Sequence, residues 1–476
     1  MPLVLGIDSS TQSTKVEVRD ADSGELVATG RAPHPPTSPP RSEQDPEVWW
    51  DALQRACADA GAPAGDVAAI AVAGQQHGMV VLDADGAVVR PAKLWNDTES
   101  APDAAWLVKQ LDGPDAWANR CGSVPVAAFT ITKLSWLHRS EPDAWARLDR
   151  VCLPHDWLTY RLTGAFVTDR GDASGTGYYA AADGAYCADL LAVVERDVDW
   201  TPRLPRVAAP GETVGTANLT GRDAVVGPGT GDNMAAALGV SLRRGDVAIS
   251  IGTSGTVYTV SDQPTFDATG AVAGFADATG RFLPLVCTLN ATKVTDAFAR
   301  LLGVDHEQFD ALALAAPPGA NGTVVLPYFD GERTPNLPDA TGSLSGLRSD
   351  VTREHVARAA VEGVVCGLLD GLDALAATGV AVDGRVVLLG GGAHSAAYRR
   401  VAADFTGRPV VVPDRAEYVA AGACVQAAAV LHGSPPEAVA YAWNLDQGAV
   451  VEPHDIDRET IRAAYREANT GILFTL

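Results

Sequence analysis

The chain has 476 residues, 47% hydrophobic and 20% charged, with a formal net charge of −23 at pH 7. This length predicts roughly two or three domains, each with its own core. The acidic excess, without a cluster of lysines and arginines, argues against nucleic-acid binding. No apolar run is long enough to span a bilayer and no secretory signal is evident, so we expect no membrane partner. Seven scattered cysteines without a Cys-x-x-Cys pair argue against zinc or disulfides and favour a cytoplasmic protein.

The predicted elements alternate between strands and helices, which indicates an α/β fold. Apolar or alternating segments predict strands, whereas caps and helical periodicity predict helices. In the first half we expect strands at 3–7, 16–19, 25–30 and 67–72, and helices at 46–60, 102–112, 142–148, 155–163 and 233–240. In the second half we expect strands at 247–251, 257–260, 385–389 and 410–412, and helices at 352–378, 394–405 and 417–431.

Two similar hairpins stand at the beginning of the two halves. In the first, the hydroxyl-rich turn 9–14 joins two strands, and in the second the turn 252–256 does the same. The repeat predicts two related domains that face each other across a cleft, with their boundary near 240–246.

Each of these turns is a candidate phosphate site. Asp8 ends a buried strand, where a carboxylate can hold Mg²⁺ through water while the backbone N–H groups of the turn bind phosphate. Gly252, Thr253 and Ser254 can contact the phosphate from the other half. The alternative is a polar β-turn whose side chains bond their own backbone, and for a single turn this alternative is at least as favoured.

Asp232 follows a Gly-Thr-Gly turn and precedes an Ala-rich segment. It is a candidate general base for a sugar hydroxyl, and we expect the helix dipole to keep it ionised. The alternative role is a helix N-cap, for which Asp is a favoured residue. The two roles are not exclusive.

Two further motifs can bind parts of a substrate. The segment 75–79, Gln-Gln-His-Gly-Met, ends a strand, and together with Trp95-Asn96-Asp97 it offers donors and acceptors for a polyol. The glycines 390–392 lie between a strand and a helix, where they allow a backbone to approach a flat or anionic ligand. The alternatives are a structural histidine and a tight turn. No P-loop, dinucleotide fingerprint, zinc-hydrolase motif or nucleophile elbow is found.

In order along residues 1–435, these motifs resemble those of the FGGY carbohydrate kinases, within the actin-like ATPase superfamily. The discriminating segments are 75–78, 94–97, 231–233, 326–335 and 389–395. The resemblance implies two actin-like (ribonuclease H-like) α/β domains with a cleft between them. Residues 1–243 would bind the sugar and carry the base, 244–435 would bind the nucleotide, and 436–476 would form an extension that matches no motif.

The resemblance also implies roles for individual residues. Asp232 would be the catalytic base, and Asp8 a catalytic carboxylate that holds Mg²⁺ through water. The implied sugar contacts are Gln76, His77, Asp232 and Asn233. The implied ATP contacts are Thr11, Gly252, Thr253 and Ser254 at the phosphates, and Gly391, Gly392 and Ser395 at the adenosine.

Within the family the motifs are most similar to those of members that phosphorylate D-xylulose. The implied reaction is in-line transfer of the γ-phosphoryl of MgATP to the primary hydroxyl of a small sugar. The expected partners are therefore the sugar and MgATP, together with a second copy of the chain, because many relatives form homodimers. Two motifs depart from the common pattern: Ser9-Ser10 replace Leu-Gly, and Gln76 replaces Met. The alternatives are a kinase for another pentulose or polyol, such as ribulose, and a non-enzymatic sugar or nucleotide sensor. A sensor has no need of a carboxylate at Asp232, so an enzyme is favoured.

Overall fold

The computed structural model describes residues 2–61, 66–219, 221–414 and 417–473. The chain divides into two compact units, and neither is continuous in sequence. Unit 1 comprises Met1–Leu242, Asp262–Leu283 and Glu417–Asp446, and unit 2 comprises Arg243–Ser261, Pro284–Ala416 and Gln447–Leu476.

Strands and helices are numbered here in chain order over both units. Up to residue 242 the strands are β1 (Leu3–Ser9), β2 (Ser13–Asp20), β3 (Leu26–Pro33), β4 (Glu43–Gln44), β5 (Val67–Gly74), β6 (Val80–Leu82), β7 (Ala92–Lys93), β8 (Arg150–Cys152), β9 (Val167–Asp169), β10 (Tyr179–Ala180), β11 (Ala185–Tyr186), β12 (Arg206–Ala208), β13 (Gly215–Ala217), β14 (Ala224–Val226) and β15 (Thr230–Gly231). The helices are α1 (Pro46–Ala60), α2 (Ala101–Gln110), α3 (Pro114–Cys121), α4 (Thr130–Ser140), α5 (Pro142–Arg147), α6 (Pro154–Thr163), α7 (Arg170–Ala173), α8 (Ala188–Val194) and α9 (Asp232–Gly239).

The same numbering continues to the end of the described chain. The strands are β16 (Val247–Ile251), β17 (Gly255–Thr259), β18 (Ala273–Ala276), β19 (Phe282–Thr288), β20 (Val324–Leu326), β21 (Ser343–Ser345), β22 (Val386–Leu389), β23 (Val410–Pro413) and β24 (Gly448–Val451). The helices are α10 (Thr292–Leu302), α11 (His306–Ala315), α12 (Arg353–Ala377), α13 (Ala396–Thr406), α14 (Tyr418–His432), α15 (Pro436–Ala442) and α16 (Arg458–Leu473).

Unit 1 is built on a mixed sheet with the strand order β13-β14-β5-β1-β2-β3, and β15 also pairs with β5. Strand β5 is parallel to both β1 and β15, with Gly74 opposite Ser9 on one side and opposite Gly231 on the other. Parallel strands in this register end at the same edge of the sheet. The segments that follow β1, β5 and β15 therefore leave the sheet side by side, and these segments carry the polar motifs of the first half.

Helix α14 packs closely against the sheet and against α9 because glycines face it at the contacts. A Cβ atom added to Gly6 of β1 would lie 2.2 Å from the carbonyl oxygen of Ala420. A Cβ on Gly239 of α9 would lie 1.9 Å from the oxygen of Tyr418, and one on Gly422 would lie 1.9 Å from that of Ala235. Such distances leave no room for a side chain, so backbone meets backbone at these points.

Unit 2 contains a second mixed sheet, with the order β19-β17-β16-β22-β23-β24. Strands β16 and β22 are parallel neighbours, with Ser250 opposite Leu389. The turns that follow these two strands, at 252–254 and 390–392, consequently lie next to each other. A Cβ on Gly392 would lie 2.4 Å from the Ile251 side chain, which shows how closely the second turn packs on the end of β16.

The predicted strands and helices are confirmed, with ends displaced by a few residues, and each unit has the α/β architecture that the alternation predicts. Eight of the described helices were not among the predicted elements, namely α3, α4, α7, α8, α10, α11, α15 and α16. Residues 417–446 belong to the compact unit 1. The predicted domain boundaries instead assign residues 417–435 to the second domain, 244–435. The boundaries at 243 and 435 stay a prediction. Among the described helices, none has both the length and the apolar character that crossing a membrane requires.

We predict that Gly422→Ala destabilises the fold by about 3 kcal/mol, at the upper end of overpacking effects, because the added methyl group meets backbone and not a movable side chain. The free energy of unfolding in urea, followed by circular dichroism, measures this change. Gly211→Ala is the control, because a Cβ there meets nothing within 4 Å. We expect it to change stability by less than about 0.5 kcal/mol. Equal stability of the two variants would contradict the close contact between α9 and α14.

Candidate active site

Asp232 is the first residue of α9, directly after β15. The N-cap is Gly231, and no side chain caps this helix, so the alternative role of Asp232 as an N-cap is wrong by one position. Its Oδ1 instead accepts hydrogen bonds from the backbone N–H of Asn233 at 2.8 Å and from Asn233 Nδ2 at 2.9 Å. The carboxylate is therefore oriented by its neighbour while serving no capping function.

The charge state of Asp232 differs from the expectation. Burial raises the pKa of its carboxyl group to about 7, and the negative charges of Asp8 and Asp172 add to this effect. The hydrogen bonds from Asn233 lower the pKa but do not compensate. Near pH 7 the carboxyl group is therefore only partly ionised, whereas its position at a helix start alone predicts full ionisation, because burial and like charges disfavour the ionised form. Asp232 can accept or release a proton near neutral pH.

Gln76 lies just after β5 and contacts Asn233. The Nδ2 group of Asn233 donates to Gln76 Oε1 at 2.9 Å. Since this bond uses the oxygen of the Gln76 amide, its NH₂ group points elsewhere, and that buried Nε2 has no hydrogen-bond partner within the described structure. A buried donor without a partner costs free energy, which a ligand oxygen would recover.

The Gln75 side chain, which lies on the β1 side of Gln76, likewise has its amide oxygen bonded and its NH₂ group unpaired within the described residues. Its Oε1 accepts from the hydroxyl of Thr11 at 3.2 Å, and its buried Nε2 also lacks a partner in the described residues. The same Thr11 oxygen accepts from Trp95 Nε1 at 2.9 Å. Because a hydroxyl has a single proton, and this one points to Gln75, any phosphate contact of Thr11 has to come from its backbone N–H.

His77 adopts a left-handed backbone conformation, with φ of 67°. Its Nδ1 lies 2.8 Å from the carbonyl oxygen of Gly175, and its ring packs against Phe129 and Phe275 at centroid distances of 5.0 and 5.5 Å. A carbonyl oxygen only accepts, so Nδ1 carries the proton and Nε2 of the neutral ring is an acceptor. This fixed ring can accept a hydrogen bond from a hydroxyl group.

Asp8 is the last but one residue of β1 and carries a buried carboxylate. Its Oδ1 accepts from the Ser10 hydroxyl at 2.5 Å, and its Oδ2 lies 3.5 Å from Lys15 Nζ, which also donates to Glu417 at 2.7 Å. Burial raises the pKa of Asp8, Lys15 and Ser10 lower it, and Glu417 raises it again. The hard oxygen donors of Asp8 and Ser10 suit Mg²⁺, and one carboxylate beside an ammonium suits a hydrated ion better than a directly bound one.

A second acidic cluster in unit 1 already contains a cation. Glu43, Asp97 and Glu99 bring carboxylate oxygens within 4.8 Å of one another. The buried Lys93 Nζ lies 3.1, 2.9 and 2.6 Å from them, respectively, and 3.8 Å from the centroid of the Trp136 ring. This ammonium group accounts for the cluster, which we interpret as a structural ion-pair network.

In unit 2, Gly252, Thr253 and Ser254 form the turn between β16 and β17. The N–H of Gly252 donates to the oxygen of Ser254 at 2.9 Å, while the oxygens of Gly252 and Thr253 accept from the N–H groups of Thr292 and Ala291. The start of α10 therefore fixes the turn, and the Thr253 side chain stays exposed.

Gly391, Gly392 and Ser395 follow β22 in the same unit. A Cβ on Gly391 would meet nothing within 4 Å, so this residue borders open space. Ser395 is the N-cap of α13, accepting from the Tyr398 N–H at 3.1 Å, and its hydroxyl donates to Asp310 Oδ1 at 2.6 Å. The Ser395 side chain thus has a structural role, and its contact with the adenosine stays a prediction.

The structure places the predicted residues in two groups. Unit 1 contains Asp8, Thr11, Gln76, His77, Asp232 and Asn233, and unit 2 contains Gly252, Thr253, Ser254, Gly391, Gly392 and Ser395.

Sequence reasoning did not assign roles to Lys15, Glu417, His155 and Asp172, although Asp172 raises the pKa of Asp232. The pairs Lys15–Glu417 and Asp172–Asp232 join residues that are distant in sequence, so no local pattern reveals them.

Two family models match the chain. The model described as the FGGY family of carbohydrate kinases, N-terminal domain, matches residues 3–239, and that of the C-terminal domain matches residues 247–431. A protein named xylulose kinase from Streptomyces coelicolor is 48% identical over 99% of this chain and 96% of its own length. Another xylulose kinase, from Streptomyces rubiginosus, is 48% identical over 97% of this chain and 94% of its own.

A solved structure shows the same architecture. The crystal structure of xylulose kinase from Bifidobacterium adolescentis superposes with a TM-score of 0.87 at 42% identity, covering 98% of this chain and 99% of that one. Sequence, both domain models and fold therefore agree over nearly the whole length. The chain belongs to the FGGY family of carbohydrate kinases, phosphotransferases that act on a small sugar with ATP as donor.

Proposed function

We propose that this kinase phosphorylates D-xylulose, giving D-xylulose 5-phosphate, with Asp232 as the general base. The observation that carries the proposal is the cluster of Asp232, Asn233, Gln76 and His77, in which an ionisable carboxylate lies among groups suited to sugar hydroxyls. The names and the identity of the relatives described above support the choice of sugar.

In the proposed step, the primary hydroxyl attacks the γ-phosphorus in line with the leaving ADP oxygen. Asp232 Oδ accepts the hydroxyl proton as the O–P bond forms and the bond to ADP breaks. Phosphoryl transfer depends mainly on alignment and charge stabilisation, so the orientation of Asp232 by Asn233 matters as much as its basicity. His77 Nε2 and the free NH₂ groups of Gln75 and Gln76 would bind the remaining sugar oxygens.

The proposal includes Mg²⁺, held through water by Asp8. Such an ion neutralises the developing charge on the phosphates when it is bound. Ser10 orients the Asp8 carboxylate, and the Lys15 ammonium partly balances its negative charge. A single carboxylate of this kind would hold a hydrated ion and would not bind it directly. Burial raises the pKa of Asp8, and Lys15 and Ser10 oppose this effect only in part, so a bound cation would further favour the ionised form.

For ATP, we propose phosphate contacts by the turn 252–254 and the backbone of Thr11, and adenosine contacts by Gly391, Gly392 and Ser395. Turns after adjacent parallel strands and the open space at Gly391 support this assignment. Because the Ser395 hydroxyl already serves Asp310 and the helix cap, its contact with the nucleotide would involve its backbone. A cytoplasmic location, supported by seven free cysteines, is also part of the proposal, and the homodimer stays a prediction.

One observation favours a second candidate sugar. Gln76 stands where Met is common in similar kinases, and its Nε2 is an additional buried donor. A donor at this position can bind a hydroxyl that a thioether cannot, so a kinase for another pentulose, such as ribulose, is the alternative.

A panel of sugars tests the choice. We expect kcat/KM, measured by ADP release, to be highest for D-xylulose, with lower values for D-ribulose, L-ribulose and glycerol. Omitting Mg²⁺ should abolish turnover with every sugar. A higher kcat/KM for a ribulose would replace D-xylulose in the proposal, and the absence of sugar-dependent ADP release would contradict the proposed activity itself.

The role of Asp232 predicts both a loss of rate and a pH dependence. Asp232→Asn should lower kcat by about 10²–10⁴-fold, since the amide cannot accept the proton. In the unchanged enzyme the base is active when ionised, so kcat/KM for the sugar should rise with pH through about 7 and level off above it. Asp115→Asn, at an exposed aspartate in the first turn of α3, is the control and should behave as the parent does. A folded Asp232→Asn enzyme with near-normal kcat would exclude the base role.

The position of His77 predicts a selective effect on the sugar. His77→Asn should raise the sugar KM by about 5–30-fold, the equivalent of one or two lost hydrogen bonds, with little change in the ATP KM. Asn tolerates the left-handed backbone, so strain is kept small. The control is His306→Asn, at an exposed histidine of unit 2. If the ATP KM rose and the sugar KM did not, His77 would belong to nucleotide binding.

A further inference from the structure

A fully buried histidine, His155, lies behind the proposed sugar site in unit 1. It packs against two backbone segments at glycines. A Cβ on Gly74 would lie 2.9 Å from His155 Cβ, and a Cβ on Gly229 would lie 2.6 Å from His155 Cδ2. Gly74 precedes the segment with Gln76 and His77, and Gly229 precedes Asp232, so this one side chain contacts the supports of both halves of the site.

Carboxylates surround the His155 ring. Its Nδ1 donates to Asp172 Oδ2 at 2.7 Å, while its Nε2 lies 3.2 Å from Asp156 Oδ1 and 3.8 Å from Asp169 Oδ1. Burial lowers the pKa of His155, but the three carboxylates outweigh burial and raise it to about 9. At neutral pH the ring is therefore an imidazolium ion that binds Asp172 through a charge-assisted hydrogen bond.

The short helix α7 connects this pair to both sides of the site. Its N-cap, Asp169, accepts from the Thr230 hydroxyl at 2.8 Å, two residues before Asp232. At the other end, the N–H of Gly175 donates to the carbonyl oxygen of Asp172 at 2.9 Å, and the carbonyl oxygen of Gly175 accepts from the His77 ring. The backbone N–H of His77 also acts on the Asp172 carboxylate and lowers its pKa.

We propose that the buried His155–Asp172 pair is a positioning element of the sugar site, which fixes His77 relative to Asp232 and places a negative charge behind the base. This inference rests on the proposed function of these two residues. Neither His155 nor Asp172 touches the reacting atoms, and both act through their neighbours.

The alternative is an ion pair that only stabilises the fold. Buried charges are a costly way to stabilise a core, and apolar residues of similar volume often serve as well. Within the described part of the chain, His155 Nε2, Asp156 Oδ1 and Asp172 Oδ1 also remain without hydrogen-bond partners. The charge of Asp172 reaches the base, because it is one of the causes that raise the pKa of Asp232.

The test is Asp172→Asn, which keeps the shape of the side chain and an oxygen for the His155 Nδ1–H while removing the charge. We expect kcat/KM for D-xylulose to fall about 10–100-fold, because the weaker bond to His155 no longer fixes the site's supports, with the ATP KM unchanged. The rise of kcat/KM with pH should move to lower pH by about 0.5–1 unit, because a negative neighbour of Asp232 is lost. The shift is partial because Asp8 still raises the pKa of Asp232, while Asp156 and Asp169 still raise the pKa of His155.

A matched control is Glu17→Gln, which breaks another buried ion pair of unit 1, Arg19–Glu17 at 2.7 Å. It should lower the unfolding midpoint and leave the sugar KM and the pH profile unchanged. If Asp172→Asn does not fold, His155→Gln provides the same comparison, and the dissociation constant for D-xylulose by calorimetry should rise about tenfold or more.

A folded Asp172→Asn enzyme with the parent's sugar constants and pH profile would overturn the positioning role while leaving the proposed kinase activity in place. If the enzyme without any substitution neither binds nor phosphorylates any sugar of the panel, the proposed function is overturned, and this inference with it. The two failures are distinguished by the activity of the unchanged enzyme.

Discussion

Parallel pairing of β5 with β1 on one side and with β15 on the other is the constraint on which the candidate site depends. It brings Ser9, Gly74 and Gly231 to one edge of the sheet, although they are far apart in the sequence. The polar segments begin immediately after these residues, so hydrogen bonds such as that from Asn233 to Gln76 join neighbours in space that are 157 positions apart. Because Gly74 and Gly231 have no side chains, the side chains of His155 and Gln76 can pack directly against this edge.

The second constraint is electrostatic. Asp8, Asp172 and Asp232 are three carboxyl groups in one poorly solvated region, and burial raises the pKa of each. Lys15 brings a positive charge to Asp8, and His155 brings one to Asp172. Asp232 has no such cation among the causes of its pKa shift, and only the amide and N–H of Asn233 oppose its protonation. This difference in partners gives three chemically identical side chains different electrostatic surroundings.

Much of this arrangement could be predicted from local sequence. Hydrophobic runs and glycine-rich ends locate the strands, and a carboxylate after a Gly-Thr-Gly turn marks Asp232. The error of one residue in the helix cap arose because both Gly231 and Asp232 are acceptable N-caps, and only the backbone geometry distinguishes them. The pKa of Asp232 was missed because it depends on Asp8 and Asp172, and the Lys15–Glu417 ion pair joins residues 402 positions apart. No motif contains such information.

The location of α14 has a consequence for the order of events during synthesis. This helix packs on the sheet of unit 1 at Gly6 and on α9 at Gly239, yet it is translated after nearly all of unit 2. At about 5–20 residues per second, the first sheet remains uncovered on this side for many seconds after its own strands have left the ribosome. The apolar face of β1 and β5 is then open to chaperones or to aggregation, and a chain interrupted before residue 417 never covers it.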